Sequence, residues 1–158
     1  MKVSVSGTQQ VRAALQAEVK RMFGGNMYAL VGYGQGLGTG GLVERAYTNH
    51  FGIGNVPARP FLDVGVEIVE DQINKTAEKM MPKLTEGKIK MDVVLDVMGQ
   101  IAVGGVQHYI TELKQPGNSE YTKKIKGSSN PLIDTGNMRQ YVSFEKTNQQ
   151  PEETGSGN

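Results

Sequence analysis

Two prolines, Pro57 and Pro60, stand either side of Ala58-Arg59 in the stretch NVPARPFLDV, and together they restrict the backbone severely. Val56 and Arg59 each precede a proline, whose ring pushes them out of the helical region into extended conformations. Pro60 has its φ already set and no N–H to leave unpaired, so it suits the first position of a helix. Asp63 then falls in the first turn, where the helix dipole favours negative charge. The chain must turn stiffly here, from extended backbone into a helix. Arg59 sits on that elbow. It is either part of a rigid connection, paired with Asp63, or it is presented to another chain; the residues leave both readings open.

Beyond the elbow, Leu62, Val66, Val69, Ile73, Ala77 and Met80 recur at helical spacing, widened by Phe61 and Ile68. Glu67, Glu70, Asp71, Asn74, Lys75 and Glu78 fall outside that stripe. The spacing predicts one helix from Pro60 to Met81, about 30 Å long at 1.5 Å per residue, ending before Pro82. A further helix is predicted from Asp92 to Leu113. Its apolar face is wide enough to imply contact on two sides. Gly99, Gly104 and Gly105 lie inside it. Each costs about 1 kcal/mol relative to alanine, which close backbone packing or a bend near 104 would explain. Near the N-terminus, Val11, Ala14, Leu15, Val19, Met22 and Phe23 form an amphipathic stripe, with Arg12, Gln16, Glu18 and Lys20 outside it and Gly24-Gly25 as its stop. NMYALVGY and LVERAYT (42–48) read as strands flanking a glycine loop, and MRQYVSFEK reads as a strand with Met138, Val142 and Phe144 on one face.

The chain has 158 residues, enough for one domain with a single core. Apolar residues make up 37%, tryptophan is absent and there are 21 glycines, so the core is modest and the loops are several. Residues 1–146 read as that domain; 147–158, ending in PEETGSGN, cannot bury apolar surface and are expected to be disordered. A net charge of +1 sets up no general field toward nucleic acid or an anionic membrane. Absence of cysteine removes disulfides, thiolate metal sites and thiol nucleophiles. MKVSVSGTQQ lacks the apolar region of a signal peptide, and no stretch approaches the roughly 20 apolar residues that span a bilayer.

The motifs that suggest chemistry are thin. GYGQGLGTGG (32–41) places glycine at 32, 34, 36, 38, 40 and 41, and Gly36, Gly38 and Gly41 make one G-x-G-x-x-G match. A dinucleotide fingerprint needs a strand before that loop and a helix opening on it. The β-leaning LVERAYTNHFG speaks against the helix, and the absence of G-K-[ST] excludes a P-loop. A mobile hairpin loop is the expected state, with Gly34, Gly36, Gly38 and Gly40 valued for backbone freedom. His50, in TNHFG, reads as a turn or sheet-end residue and His108 as helix surface; neither has a partner at metal-ligand spacing. Asp134 in LIDTG resembles the Asp-Thr-Gly of aspartic proteases, but no second copy supplies the paired carboxylate. Lys123, Lys124 and Lys126, beside Tyr121, form a small basic cluster. It reads as a solvated patch or, alternatively, as the contact of a small DNA-binding module.

NHFGIGNVPARPFL, followed by NPLIDTGNMRQYVSF, resembles the tail-completion, or virion-morphogenesis, family of tailed bacteriophages. Members join an E-F-G … I-P-A-R-P-F-L segment to a K-P-L-I-D-T-G-x-L-x-x-S-I segment across a long helical region. Here Phe51, Gly52, Pro57, Pro60, Phe61 and Leu62 stand in the first segment, and Pro131, Leu132, Asp134 and Gly136 in the second. His50 replaces the glutamate, Met138 the later leucine, and Tyr141-Val142 the serine-isoleucine pair. GGVQHYIT resembles the end of the family's middle helix, and the likeness runs over positions 27 to 145. It implies a small α+β fold, a curved antiparallel sheet packed against two to three long helices, with the glycine-rich loop as a long hairpin loop. It also implies a structural, non-enzymatic neck protein that takes no cofactor or metal. Copies would form a ring, expected to be hexameric, at the head–tail junction of the virion after synthesis in the host's cytoplasm. Its partners would be the connector and the tail tube or tail terminator, with DNA passing unbound through the centre and no membrane involved. On this view Gly34, Gly36, Gly38, Gly40, Arg59, Lys123, Lys124 and Lys126 are the expected assembly contacts.

Overall fold

The computed structural model describes residues 27–34, 41–114, 116–117, 132 and 136–149, together with 17, 20 and 25. In chain order its elements are β1 (Tyr28–Gly32), α1 (Leu42–Phe51), α2 (Phe61–Glu67), α3 (Glu70–Thr85), α4 (Met91–Glu112), α5 (Asn137–Gln140) and β2 (Ser143–Thr147). The fold is α+β. The N-terminal amphipathic stripe, positions 35–40 of the glycine loop, residues 118–131 and the segment from 150 onward lie outside the described residues.

Helix α4 is the axis: α2, α3, α5 and both strands pack on it. It runs within one residue of its predicted span, because its wide apolar face has something to cover on nearly every side. Two of its glycines permit this. A methyl group at Gly105 would lie 2.3 Å from the carbonyl oxygen of Gly65 on α2, and one at Gly65 would lie 2.5 Å from Cα of Val106. The backbones of α2 and α4 therefore touch, which no residue with a Cβ allows without a shift. A methyl at Gly99 would sit 2.3 Å from the ring of Phe144, so β2 lays its aromatic side chain directly on the backbone of α4. Gly104 differs: nothing lies within 4 Å of where its Cβ would be.

The strands pair antiparallel, Tyr28 opposite Thr147 through Gly32 opposite Ser143. β1 thus finds its partner at the far end of the chain and not across the glycine loop. The segment 42–48, expected as a strand, is helix. Leu42, Ala46 and His50 are buried along one side of α1 at i,i+4 spacing, and that burial outweighs the strand preference of Val43, Tyr47 and Thr48. Gly41 and Gly52, both left-handed (φ 70° and 74°), bound the helix.

The single helix expected from Pro60 to Met81 is two. It breaks at Ile68-Val69, where Val69 has φ −111° and its N–H turns to Val66 (3.1 Å), three residues back. The Val69 side chain is lodged against Gly105. Pro82 does not end α3. It opens the last turn, where its missing N–H costs one bond, and its carbonyl accepts from the Glu86 N–H (3.0 Å) and the Thr85 hydroxyl (2.9 Å). The strand expected from Met138 starts later, at Ser143. Gly136 (φ 78°) turns the chain into α5, which drops Met138 into the core.

Leu42, Ala46, Phe61, Val106, Ile110, Leu113, Leu132, Met138 and Val142 form one buried cluster. Burying each large side chain of that set stabilises the fold by roughly 1.5–3 kcal/mol. Tyr33 closes it from the end of β1: its ring stands edge-on to Phe61 and its hydroxyl donates to the Met138 carbonyl (2.6 Å). Burial raises that phenol above its ordinary pKa. At the other end of the ribbon, Lys146 Nζ lies 2.7 Å from carboxylate oxygens of both Asp92 and Asp96 on α4.

Neighbouring glycines should respond to alanine with opposite signs. Gly105→Ala should lose about 1–3 kcal/mol through overpacking. Gly104→Ala should gain up to about 1 kcal/mol from helix propensity. Urea midpoints of the two variants measure this. A second expectation concerns pH. Hydrogen bonds to Asp92 and then Asp96 raise the Lys146 pKa. The folded value is the higher one, so the contribution is complete below the unfolded lysine pKa of about 10.4 and is lost as pH rises through the folded value. Denaturation of wild type and Lys146→Met should therefore show a gap that is constant from neutral to mildly alkaline pH and shrinks above that range.

Candidate functional site

Helix α1 carries two i,i+4 rows. Leu42, Ala46 and His50 face the core, and Val43, Tyr47 and Phe51 face outward. The outward row is 36%, 57% and 50% exposed, and Ile53 just beyond the helix is 47% exposed. Tyr47 and Phe51 meet with ring centroids 4.7 Å apart and planes tilted by 52°, so the aromatic end of the row is one apolar ridge. Soluble chains scatter single apolar residues over their surfaces; a contiguous aromatic patch marks contact with something else.

The ridge is held rigidly, and Arg59 is the reason. Its side chain is 3% exposed. Nε donates to the Pro116 carbonyl (2.9 Å), one terminal nitrogen to Asn49 Oδ1 (2.7 Å) and the other to the Gly117 carbonyl (3.1 Å). Its backbone N–H also donates to the Asn49 carbonyl (2.7 Å). The guanidinium fork thus ties the last turn of α1 to the chain leaving α4, and desolvation lowers its pKa from the ordinary value. Gly52 completes the joint: a Cβ there would lie 2.5 Å from the Ala58 nitrogen. Arg59 is therefore spent inside its own chain. Presentation to another chain, and pairing with Asp63, are both corrected, because burial leaves it no face to present and neutral oxygens occupy its donors.

Asp63 instead meets His50, Oδ2 to Nε2 at 3.2 Å. His50 is a helix residue and not a turn residue, packed edge-on against Phe51 and Phe61 at 4.7 and 5.5 Å. Its Nδ1 is buried without a hydrogen-bond partner, so the tautomer with hydrogen on Nε2 fits, donating to Asp63.

The remaining predicted positions divide clearly. Phe51, Gly52, Pro57, Pro60 and Phe61 converge on the elbow, with Phe61 fully buried beneath it. Leu132 is buried in the same cluster and Gly136 turns the chain into α5. Gly34 lines an open groove of about 440 Å³ beside Leu30, Gly32 and Ser143. Gly36, Gly38, Gly40, Lys123, Lys124, Lys126, Pro131 and Asp134 lie outside the described residues. His108 is on the surface of α4 as expected, in an open polar cleft of about 580 Å³ shared with Gln107, Arg139 and Gln140.

One ground used against a dinucleotide loop falls: a strand precedes the glycines and a helix follows them. The sheet supplies the replacement. The fingerprint belongs to a parallel βαβ unit, whereas β1 pairs antiparallel with β2. Among the described residues no group of three or more His, Asp or Glu is placed to hold a metal ion. Among them, too, no helix is long and apolar enough to cross a membrane. Sequence reasoning missed the ridge because it read 42–48 as a strand. The signal was present as the i,i+4 spacing of Val43, Tyr47 and Phe51.

Removing the clamp should loosen the ridge. Arg59→Ala should cost about 2–4 kcal/mol, since it deletes three hydrogen bonds and a packed stem. Arg59→Lys should recover little, because an ammonium cannot reproduce the fork. Thermal melts and limited proteolysis near residues 115–117 report both effects. Compared with protein-family models, curated proteins and solved structures, the chain matches none.

Proposed function

We propose that the chain is a structural subunit of the head–tail junction of a tailed bacteriophage. In this reading it is a tail-completion protein whose copies close into a ring, sixfold, between connector and tail tube. It acts by shape: DNA passes through the ring, and the protein makes and breaks no bonds.

The observation that carries this reading is the Val43–Tyr47–Phe51 ridge, apolar, outward and fixed by the Arg59 clamp. Aromatic anchors on a rigid frame are what a protein interface is built from, because little conformational entropy is lost when they are covered. The kind of assembly comes from the resemblance of the FGIGNVPARPFL and NPLIDTG segments to the tail-completion family. Phe61 from the first and Leu132 from the second share one core cluster, and the ridge beside Phe61 is left for contact. A repeated head-to-tail contact closes into a ring when its rotation divides the circle.

Light scattering on the purified chain, alone and with tail tubes, tests this directly. Ring-sized particles should form, and Tyr47→Glu with Phe51→Glu should abolish them while the melting temperature stays near that of wild type. A chain that remains single in both conditions would sink the reading. Deleting Gly34 to Gly40 should leave the subunit folded yet impair completion of particles, measured as infectious titre.

A further inference from the structure

A head-to-tail contact needs two different surfaces on one chain, and the ridge of α1 is only one of them. The cleft between α4 and α5 has the features of the other. It is open, holds about 580 Å³, and is lined in part by Gly104, Gln107, His108, Arg139 and Gln140. A volume of that size takes a molecule of several rings, so two aromatic side chains fit.

Gly104 is the first reason to read the cleft as a seat. Glycine inside a helix costs about 1 kcal/mol relative to alanine. At Gly65, Gly99 and Gly105 a neighbouring group fills the space of the missing Cβ, whereas at Gly104 nothing lies within 4 Å. Packing within the chain leaves Gly104 unexplained. Its bare backbone opens on the cleft, where a flat ring can lie directly against the helix.

Charge is the second reason. Among the described residues, the cleft's lining carries Arg139 and His108 and no carboxylate. The ridge is flanked by carboxylates. Exposed Glu44 stands beside Val43 and Tyr47, and Asp63, its side chain 79% exposed, lies against His50 next to Phe51. Arg45 is turned back on the Gly41 carbonyl (3.1 Å). A guanidinium plane also offers an aromatic ring a favourable face.

One copy cannot bring its own two surfaces together. Leu42 and Ala46 of α1 share the core with Val106 and Ile110, on one side of α4. Gly104 and His108 stand two residues either side of Val106, about 200° round the helix and so on its other side. The Arg59 fork holds α1 to the chain leaving α4. On so fixed a frame, the ridge reaches a cleft only on a second copy.

We propose that the Val43–Tyr47–Phe51 ridge of one copy seats in the α4–α5 cleft of the next, with Tyr47 over Gly104 and Glu44 toward Arg139. This rests on the ring reading above and adds the surface that receives the ridge.

Charge reversal tests the pairing. Glu44→Arg and Arg139→Glu should each cut ring formation roughly tenfold by light scattering, because like charges then face each other, and both in one chain should restore it. Gly104→Phe fills the seat; rings should vanish while the melting temperature stays near that of wild type. The chain has no cysteine, so introduced thiols report the contact without background. Val43→Cys and Gln140→Cys, made as separate full-length variants, are mixed and treated with a short bis-maleimide. The expected product is a pair at twice the mass of one chain, joined through positions 43 and 140. Two chains joined through position 43 alone would set ridge against ridge and overturn the proposal. So would a doubly substituted chain that links only to itself. Wild type separates the two claims. Rings that survive Gly104→Phe and both single reversals leave the ring reading standing and remove this one; a wild type that stays single removes both.

Discussion

Everything in this fold is set out from the place where α2 and α4 cross with no side chain between them. Gly65 and Gly105 bring two backbones into direct contact. That closeness lets Phe61, at the start of α2, sink fully into the core beside Val106 and Ile110. Phe61 follows the elbow at Pro57-Ala58-Arg59-Pro60, so the depth of the crossing also sets where Arg59 lies. Arg59 in turn fixes the last turn of α1 through Asn49. A methyl group at the crossing would therefore be felt on the outer face of a different helix.

The arrangement separates two tasks that short proteins often mix. The inward row of α1 and the core cluster hold the subunit together, and the outward row faces water with two aromatics in contact. A buried cation with only neutral acceptors is an expensive way to make a joint. It makes sense where position matters more than stability. A clamp of this kind ties the last turn of α1, and with it the exposed row, to the chain leaving α4.

How much of this the sequence disclosed depended on how far each decision reached along the chain. Helix α4 was legible, since its apolar pattern is local. The elbow was legible for the same reason, being dictated by two proline rings. The partners of Arg59 were not, because Pro116 and Gly117 belong to a distant segment. LVERAYT satisfies both an alternating and an i,i+4 pattern, and only the core that receives Leu42, Ala46 and His50 decides between them. The break at Ile68-Val69 was hidden under an unbroken apolar stripe; it falls where the Val69 side chain seats against Gly105 on α4, a contact no local pattern discloses. In the candidate site, Gly52 lies against Ala58 of the elbow and Phe61 is buried beneath it, both positions the sequence singled out, while Val43 and Tyr47 were lost with the strand assignment.

The pairing of β1 with β2 has a temporal consequence. Residues 28–32 wait for residues 143–147, with over a hundred residues of chain between them. Closing so long a loop is entropically slow and comes late in folding. On the ribosome, β1 must remain without its partner strand until residues 143–147 have emerged. An unfinished or truncated polypeptide would lack Phe144 to lay on Gly99 and Lys146 to grip α4. A polypeptide released before residue 143 therefore cannot complete the two-stranded ribbon that packs on α4.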